Sequence, residues 1–104
     1  MLEAVLTYDL VPGVSQQAYQ VWAKNGIGTT LRQAGLIEFR AHRNMLGSPQ
    51  IRITTVWHSM ADTEKFWLGD WQPLEAELRT MATNLKWEYW GTSPVVPEPL
   101  RPGK

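Results

Sequence analysis

Residues 53–71 read ITTVWHSMADTEKFWLGDW, and three of the chain's six tryptophans fall within it. With the two residues before it, the stretch opens as IRITTVWH, which sets Ile51, Ile53, Thr55 and Trp57 against Arg52, Thr54, Val56 and His58. That period of two is the signature of a half-buried strand. Ser59-Met60-Ala61-Asp62 follows in the form of a capping box, with aspartate in the usual place of glutamate. The helix it starts is broken by Leu68-Gly69-Asp70 and restarts with Pro73 in its first turn. Leu74, Leu78 and Met81 then supply the buried stripe of the second piece. One short segment therefore encodes a strand, a cap, a helix, a break and a further helix.

Working outward from it, LEAVLTYDL at the N-terminus alternates in the same way, with Leu2, Ala4, Leu6 and Tyr8 opposed to Glu3, Val5, Thr7 and Asp9. Pro12-Gly13 stops this strand, and Ser15 caps a helix beginning QQAYQVWAK. At ~100° per residue, Ala18, Val21 and Trp22 form one stripe, whereas Ile27, Leu31 and Ala34 point nearly the opposite way. Asn25-Gly26-Ile27-Gly28 lies between them. A kink or a change of phase is expected there; a glycine-lined approach to a ligand is the alternative. Gly35 ends the helix and LIEFRAHR forms a second strand, with Ile37, Phe39 and Ala41 facing inward. NMLGSPQ is a hairpin loop, and LKWEYW a last strand with Leu85, Trp87 and Tyr89 inward.

The order β-α-β-β-α-β describes a split βαβ, ferredoxin-like α+β fold: a four-stranded antiparallel sheet with two helices on one face. The domain is expected to span residues 1–91, with residues 92–104 as a proline-rich extended tail, free or draped over a neighbouring chain. The uncovered sheet face mixes Val5, Val56 and Trp90 with polar residues, which suits a homodimer closed through that face.

Composition narrows the function. Ten basic and ten acidic residues in a chain of 104 give no net charge, so the basic footprint of a nucleic-acid binder is missing. There are no cysteines, which excludes disulfides and zinc-thiolate sites. The N-terminus lacks the form of a signal peptide, and no run reaches the ~20 apolar residues of a membrane span; the expected compartment is the cytoplasm.

The segment ITTVWHSMADTEKFWLGDW, YDLVPG before an amphipathic helix, and Gly35-Leu36 ahead of the second strand resemble the dimeric α/β-barrel superfamily, including its antibiotic-biosynthesis monooxygenase-like, EthD-like and NIPSNAP families. The resemblance covers roughly residues 2–90. It implies a small-molecule enzyme, with cofactor-independent monooxygenation of an aromatic or polyketide-like substrate as the leading reading. A non-catalytic ligand-binding or structural dimer is the alternative, and an isomerase or lyase of the same fold a third. Haem-degrading members use an asparagine on the first strand, a tryptophan on the second helix and a histidine beyond it. Here those positions hold Leu6, Phe66 or Trp67, and Ala76 or Glu77, so the resemblance implies no haem, and no cofactor is expected.

Candidate site residues follow from chemistry. His42 and His58 fall on the polar sheet face, and a hairpin register summing to about 94 puts His42 opposite Arg52 and His58 opposite Leu36, too far apart to share a metal. No metal site is expected. Glu38, Arg40, Arg52 and Glu88 read as ion pairs across strands or a dimer interface. The aromatic set is richer than a small core requires, and its hydroxyl and indole groups each need a partner. It suggests a pocket for a small hydrophobic or aromatic ligand walled by Tyr8, Thr55, Trp57, Trp67 and Trp71, with packing alone sufficient for Phe39 and Trp87. Tyr8 and His58 are the candidate proton acceptors.

Overall fold

A computed structural model describes residues 1–103. Its elements are β1 (Leu2–Leu10), α1 (Gln16–Leu31), β2 (Leu36–Arg43), β3 (Ile51–Trp57), α2 (Met60–Leu68), α3 (Trp71–Leu78) and β4 (Ala82–Trp90). The strands form one antiparallel sheet in the order β2-β3-β1-β4, and the helices pack on one face, so the fold is ferredoxin-like α+β. Alternation sets the layers: Ala4, Leu6 and Tyr8 of β1 and Thr55 and Trp57 of β3 are buried. Trp57, Tyr8, Leu6 and Leu78 are the largest side chains sealed from solvent. Truncating a buried ring such as Trp57 costs about 3–5 kcal/mol by cavity formation.

The capping serine works in a modified way. Ser59 Oγ accepts from the Asp62 backbone N–H at 3.2 Å and donates to the Asp62 carboxylate at 2.9 Å. The shorter aspartate thus closes on the cap hydroxyl, where a glutamate would reach the cap backbone. The break at Gly69-Asp70 turns Trp71 inward, where it is 5 % exposed. There it meets Trp22 edge-on at 6.3 Å, Phe66 at 6.1 Å and Trp87 edge-on at 5.4 Å. Trp71 is thereby the hub joining both helical segments to the sheet. Gln33 Nε2 donates to Asp70 Oδ2 at 2.8 Å, tying the end of α1 to the start of α3.

Three local expectations change. First, α1 runs unbroken through Asn25–Gly28, and its buried stripe is Trp22, Gly26 and Thr30, one residue every four. Val21, Ile27 and Leu31 face outward, at 64 %, 37 % and 59 % exposure. The helix keeps its phase because Trp22 Nε1 is anchored on the Leu74 carbonyl at 2.9 Å and Thr30 Oγ1 on that of Gly26 at 2.7 Å. Second, His42 opposes Arg52, but a register shift between Leu36 and Glu38 puts Leu36 opposite Trp57. His58 lies just past the strand, its backbone N–H donating to the Gly35 carbonyl. Third, β4 begins at Ala82, three residues earlier than the alternation of LKWEYW indicates. An irregularity between Thr7 and Asp9 carries it over Asn84, whose φ is 58°. The Asn84 amide donates to Asp9 at 3.0 Å, which holds that turn of backbone in place.

Described residues beyond Trp90 lie outside helix and strand and are exposed. No helix among the described residues is long and apolar enough to cross a membrane.

Candidate functional site

Strand β2 is an edge strand, and α1 leaves its inner face partly open. A cleft of about 100 Å³ results between α1 and the sheet. Leu6, Tyr8, Phe39, Ile53, Thr55 and Trp87 line the sheet side; Tyr19, Trp22, Gly26, Thr30, Phe66 and Trp71 line the helical side. Ile27 and Ala41 also belong to the lining and are both exposed, so they mark the mouth.

Polar groups in the wall are mostly committed. Trp57 Nε1 donates to Thr55 Oγ1 at 2.7 Å, and Thr55 Oγ1 lies 3.4 Å from the Ala4 carbonyl. Trp71 Nε1 donates to Glu75 Oε1 at 2.9 Å and Trp87 Nε1 to the same oxygen at 3.5 Å, while Arg79 holds the other oxygen at 3.2 Å. Burial raises the Glu75 pKa, but the hydrogen bonds from Trp71, Arg79 and Trp87 outweigh it and hold the carboxyl below its usual value. No buried side-chain nitrogen or oxygen among the described residues lacks a partner. The abundance of polar tips, which suggests a pocket in the sequence, is therefore answered within the core.

The exception is a pair of phenols. Tyr8 Oη and Tyr19 Oη are 2.6 Å apart. Two hydroxyls carry two protons and the bond between them uses one, so one O–H donor is left over. Burial pushes both phenol pKa values up, and the bond to Tyr19 raises Tyr8 further. At neutral pH the pair is uncharged: it can donate a hydrogen bond, but it does not supply a base.

Of the residues singled out in the sequence, the structure gathers Tyr8, Thr55 and Trp71 around the cleft. Trp57 is fully buried behind it, 5.5 Å from Phe66, with its indole held by Thr55. Trp67 packs half-buried at the edge of the core. His58 is exposed at the end of β3 and outside the lining, so the candidate proton acceptors do not meet. Phe39 and Trp87, which packing alone explains in the sequence, are also wall residues, Phe39 from the edge strand β2 and Trp87 from β4. Tyr19, Gly26 and Thr30 escape sequence reading because they share a face only if α1 keeps its phase across the two glycines. A repeat of every fourth residue from Trp22 was the available signal.

A larger concavity of about 770 Å³ lies on the outer sheet face beneath the β2–β3 hairpin, with Val5, Arg40, His42, Arg52, Thr54 and Trp90 among its walls. Here Arg40 pairs with Glu38 and, at 3.1 Å, with Glu3, and Lys86 pairs with Glu88 at 3.1 Å. This is an open sheet surface on which Arg40 and Lys86 meet carboxylates, while Arg52, expected to join such a pair, forms none among the described residues. No cluster of three or more metal-ligating side chains occurs among the described residues.

No family model and no curated protein matches the chain. Solved structures do match in fold. SnoaB, a cofactor-independent oxygenase from Streptomyces nogalater, aligns over 93 % of this chain and 97 % of its own with a TM-score of 0.75 at 13 % identity. Hydroxynitrile lyase from Passiflora edulis aligns over 86 % and 90 % with a TM-score of 0.71 at 10 % identity. A dimeric protein of unknown function and ferredoxin-like fold from Bacteroides fragilis aligns over 86 % and 93 % with a TM-score of 0.64 at 8 % identity. At such identities the likeness is one of fold.

Proposed function

We propose that the chain is a small-molecule enzyme of the dimeric α/β-barrel type, and that it oxygenates an aromatic or polyketide-like compound in the cleft between α1 and the sheet without a cofactor. The observation that carries this reading is the cleft: walls of aromatic and aliphatic carbon, with one unspent hydroxyl donor in the Tyr8–Tyr19 pair. The fold shared with a cofactor-independent oxygenase supports it. In this chemistry the ionised substrate supplies the electrons that oxygen takes. Neither tyrosine accepts the proton at neutral pH, and His58 stands outside the cleft. The substrate's own acidity therefore carries ionisation, with the proton passing to water at the mouth. A donor aimed at the oxyanion that forms lowers the cost of that step.

The same neutral pair suits lyase or isomerase chemistry, and the fold shared with a hydroxynitrile lyase supports that second reading. A homodimer through the outer sheet face completes the proposal. Trp90 is 57 % exposed there, whereas Val5 and Val56 are already buried within the single chain, so Trp90 is the apolar side chain that a second sheet would cover. An oxygen electrode and tryptophan fluorescence separate the readings. Quenching by aromatic ligands together with oxygen uptake from a hydroquinone supports the oxygenase. Quenching without uptake transfers the cleft to a lyase, an isomerase or a binding protein. No quenching by any aromatic ligand overturns the cleft as a site.

A further inference from the structure

Resting on the cleft as the binding site, we propose that it selects a neutral, single-ring aromatic compound carrying one hydrogen-bond acceptor, with Gly26 setting the size limit and the Tyr8–Tyr19 pair taking the acceptor.

Size comes first. Sites for drug-sized ligands occupy roughly 300–1,000 Å³, and an apolar cavity of roughly 150 Å³ takes up benzene. The cleft, at about 100 Å³, admits one ring with an edge left at the mouth between Ile27 and Ala41. A fused second ring would have to displace Trp22, Phe66 or Trp71, which are packed against one another. The wall has slack at Gly26, the one glycine in the lining. It is buried in the helix stripe facing the cleft, yet a Cβ built on it meets no atom within 4 Å. That emptiness belongs to the cleft, and any side chain there would occupy it.

Charge comes next. None of the lining residues is an acid, a base or a histidine. An anion entering this wall would lose its hydration and gain no cation, which strongly disfavours it. Both phenols are held neutral, so a cation finds no counter-charge either. A ligand therefore enters neutral, and any ionisation follows only once its oxygen meets the donor of the Tyr8–Tyr19 pair. The ligand needs an acceptor, because the pair's one spare proton is a donor and the hydroxyls of Thr30 and Thr55 are engaged on Gly26, Ala4 and Trp57.

The test uses near-isosteric probes on the intact protein under argon, read by tryptophan fluorescence. Acetophenone, ethylbenzene, benzoate and acetonaphthone vary the acceptor, the charge and the ring count in turn. Acetophenone should bind about five- to ten-fold more tightly than ethylbenzene, the worth of one hydrogen bond, and benzoate and acetonaphthone should bind more weakly than either. Removing both hydroxyls, Tyr8→Phe together with Tyr19→Phe, should erase the preference for acetophenone over ethylbenzene, whereas either single change leaves one unpartnered O–H donor and should keep it. Because that readout is a ratio, general loosening of the fold does not mimic it; should the double variant fold poorly, Tyr19→Phe alone, which frees the Tyr8 O–H, should keep acetophenone ahead of ethylbenzene, and a lost preference there overturns the assignment of the donor. Gly26→Ala should weaken every probe. Equal or tighter binding of benzoate or acetonaphthone overturns the selectivity, and so does a preference that survives removal of both hydroxyls. Oxygen plays no part in these measurements. If the probes bind as described but no substrate consumes oxygen, this inference stands and the oxygenase reading falls; uptake with a bicyclic substrate reverses the outcome.

Discussion

Replacing Gly26 by alanine should make the protein more stable and its cleft less able to bind. A glycine inside a helix is about 1 kcal/mol less favourable than alanine, because its backbone loses more freedom on folding. Gly26 sits mid-helix in α1, and the added methyl meets nothing within 4 Å, so no steric term opposes the gain. For a domain of this size about 1 kcal/mol corresponds to a rise of about 4–8 °C in Tm. Gly28 is the control. Its Cβ would stand 3.5 Å from Arg32 Nη1, an ordinary contact outside the cleft lining. Gly28→Ala should therefore raise Tm by a similar amount and leave binding alone. Gly35→Ala should do the reverse: φ is +86° and the new Cβ would fall 2.3 Å from the Asp62 carboxylate, so a loss of about 2 kcal/mol or more is expected. Calorimetry with parallel acetophenone titrations decides the matter. A lower Tm for Gly26→Ala, or a raised Tm with unchanged acetophenone affinity, would refute the claim that the glycine holds space for a ligand.

Further outcomes follow from the tyrosine pair and the outer face. Tyr19→Phe leaves the fully buried Tyr8 hydroxyl without a partner and should cost about 1–3 kcal/mol in denaturant unfolding. Tyr8→Phe leaves the less buried Tyr19 hydroxyl and should cost less; equal costs would contradict the burial difference. Because folding raises the Tyr8 and Tyr19 pKa values above their unfolded value of about 10, the stability they contribute is whole below that pH and is lost as pH climbs past it toward the folded values. Tm should fall steeply above pH ~10, and Tyr8→Phe should flatten the fall; a native tyrosinate titration at the ordinary value would contradict this. A solution mass of about twice 11.9 kDa is expected at micromolar concentration, dropping to the single-chain value for Trp90→Glu. A native protein already at the single-chain mass removes the dimer.

Much of this architecture is written as a period of two. The inward faces of β1 and β3 follow directly from alternation, because a strand has only two faces and burial chooses one. Ser59 and the Gly69 break are likewise local signals with local consequences. What stayed hidden depends on non-local geometry. Glycines lower helix propensity, so Asn25–Gly28 reads as a break, yet Trp22 anchored on Leu74 carries α1 straight through. Trp57 and Trp71 look equivalent as inward aromatics. One ends up behind the cleft with its indole held by Thr55, and the other in its wall against Trp22, Phe66 and Trp87. His58, one residue past Trp57, falls by the same alternation on the face opposite the aromatic layer, and it is exposed outside the cleft.

The six indole N–H groups report most directly on whether the cleft is the functional site. In a two-dimensional N–H NMR titration with acetophenone, the indole signals of Trp22, Trp71 and Trp87 should shift together with the amides of Gly26 and Tyr19, while those of Trp57, Trp67 and Trp90 stay in place. Shifts confined to Trp90, Arg40, His42 and Arg52 on the outer sheet face, or no shifts at saturating ligand, would contradict the account.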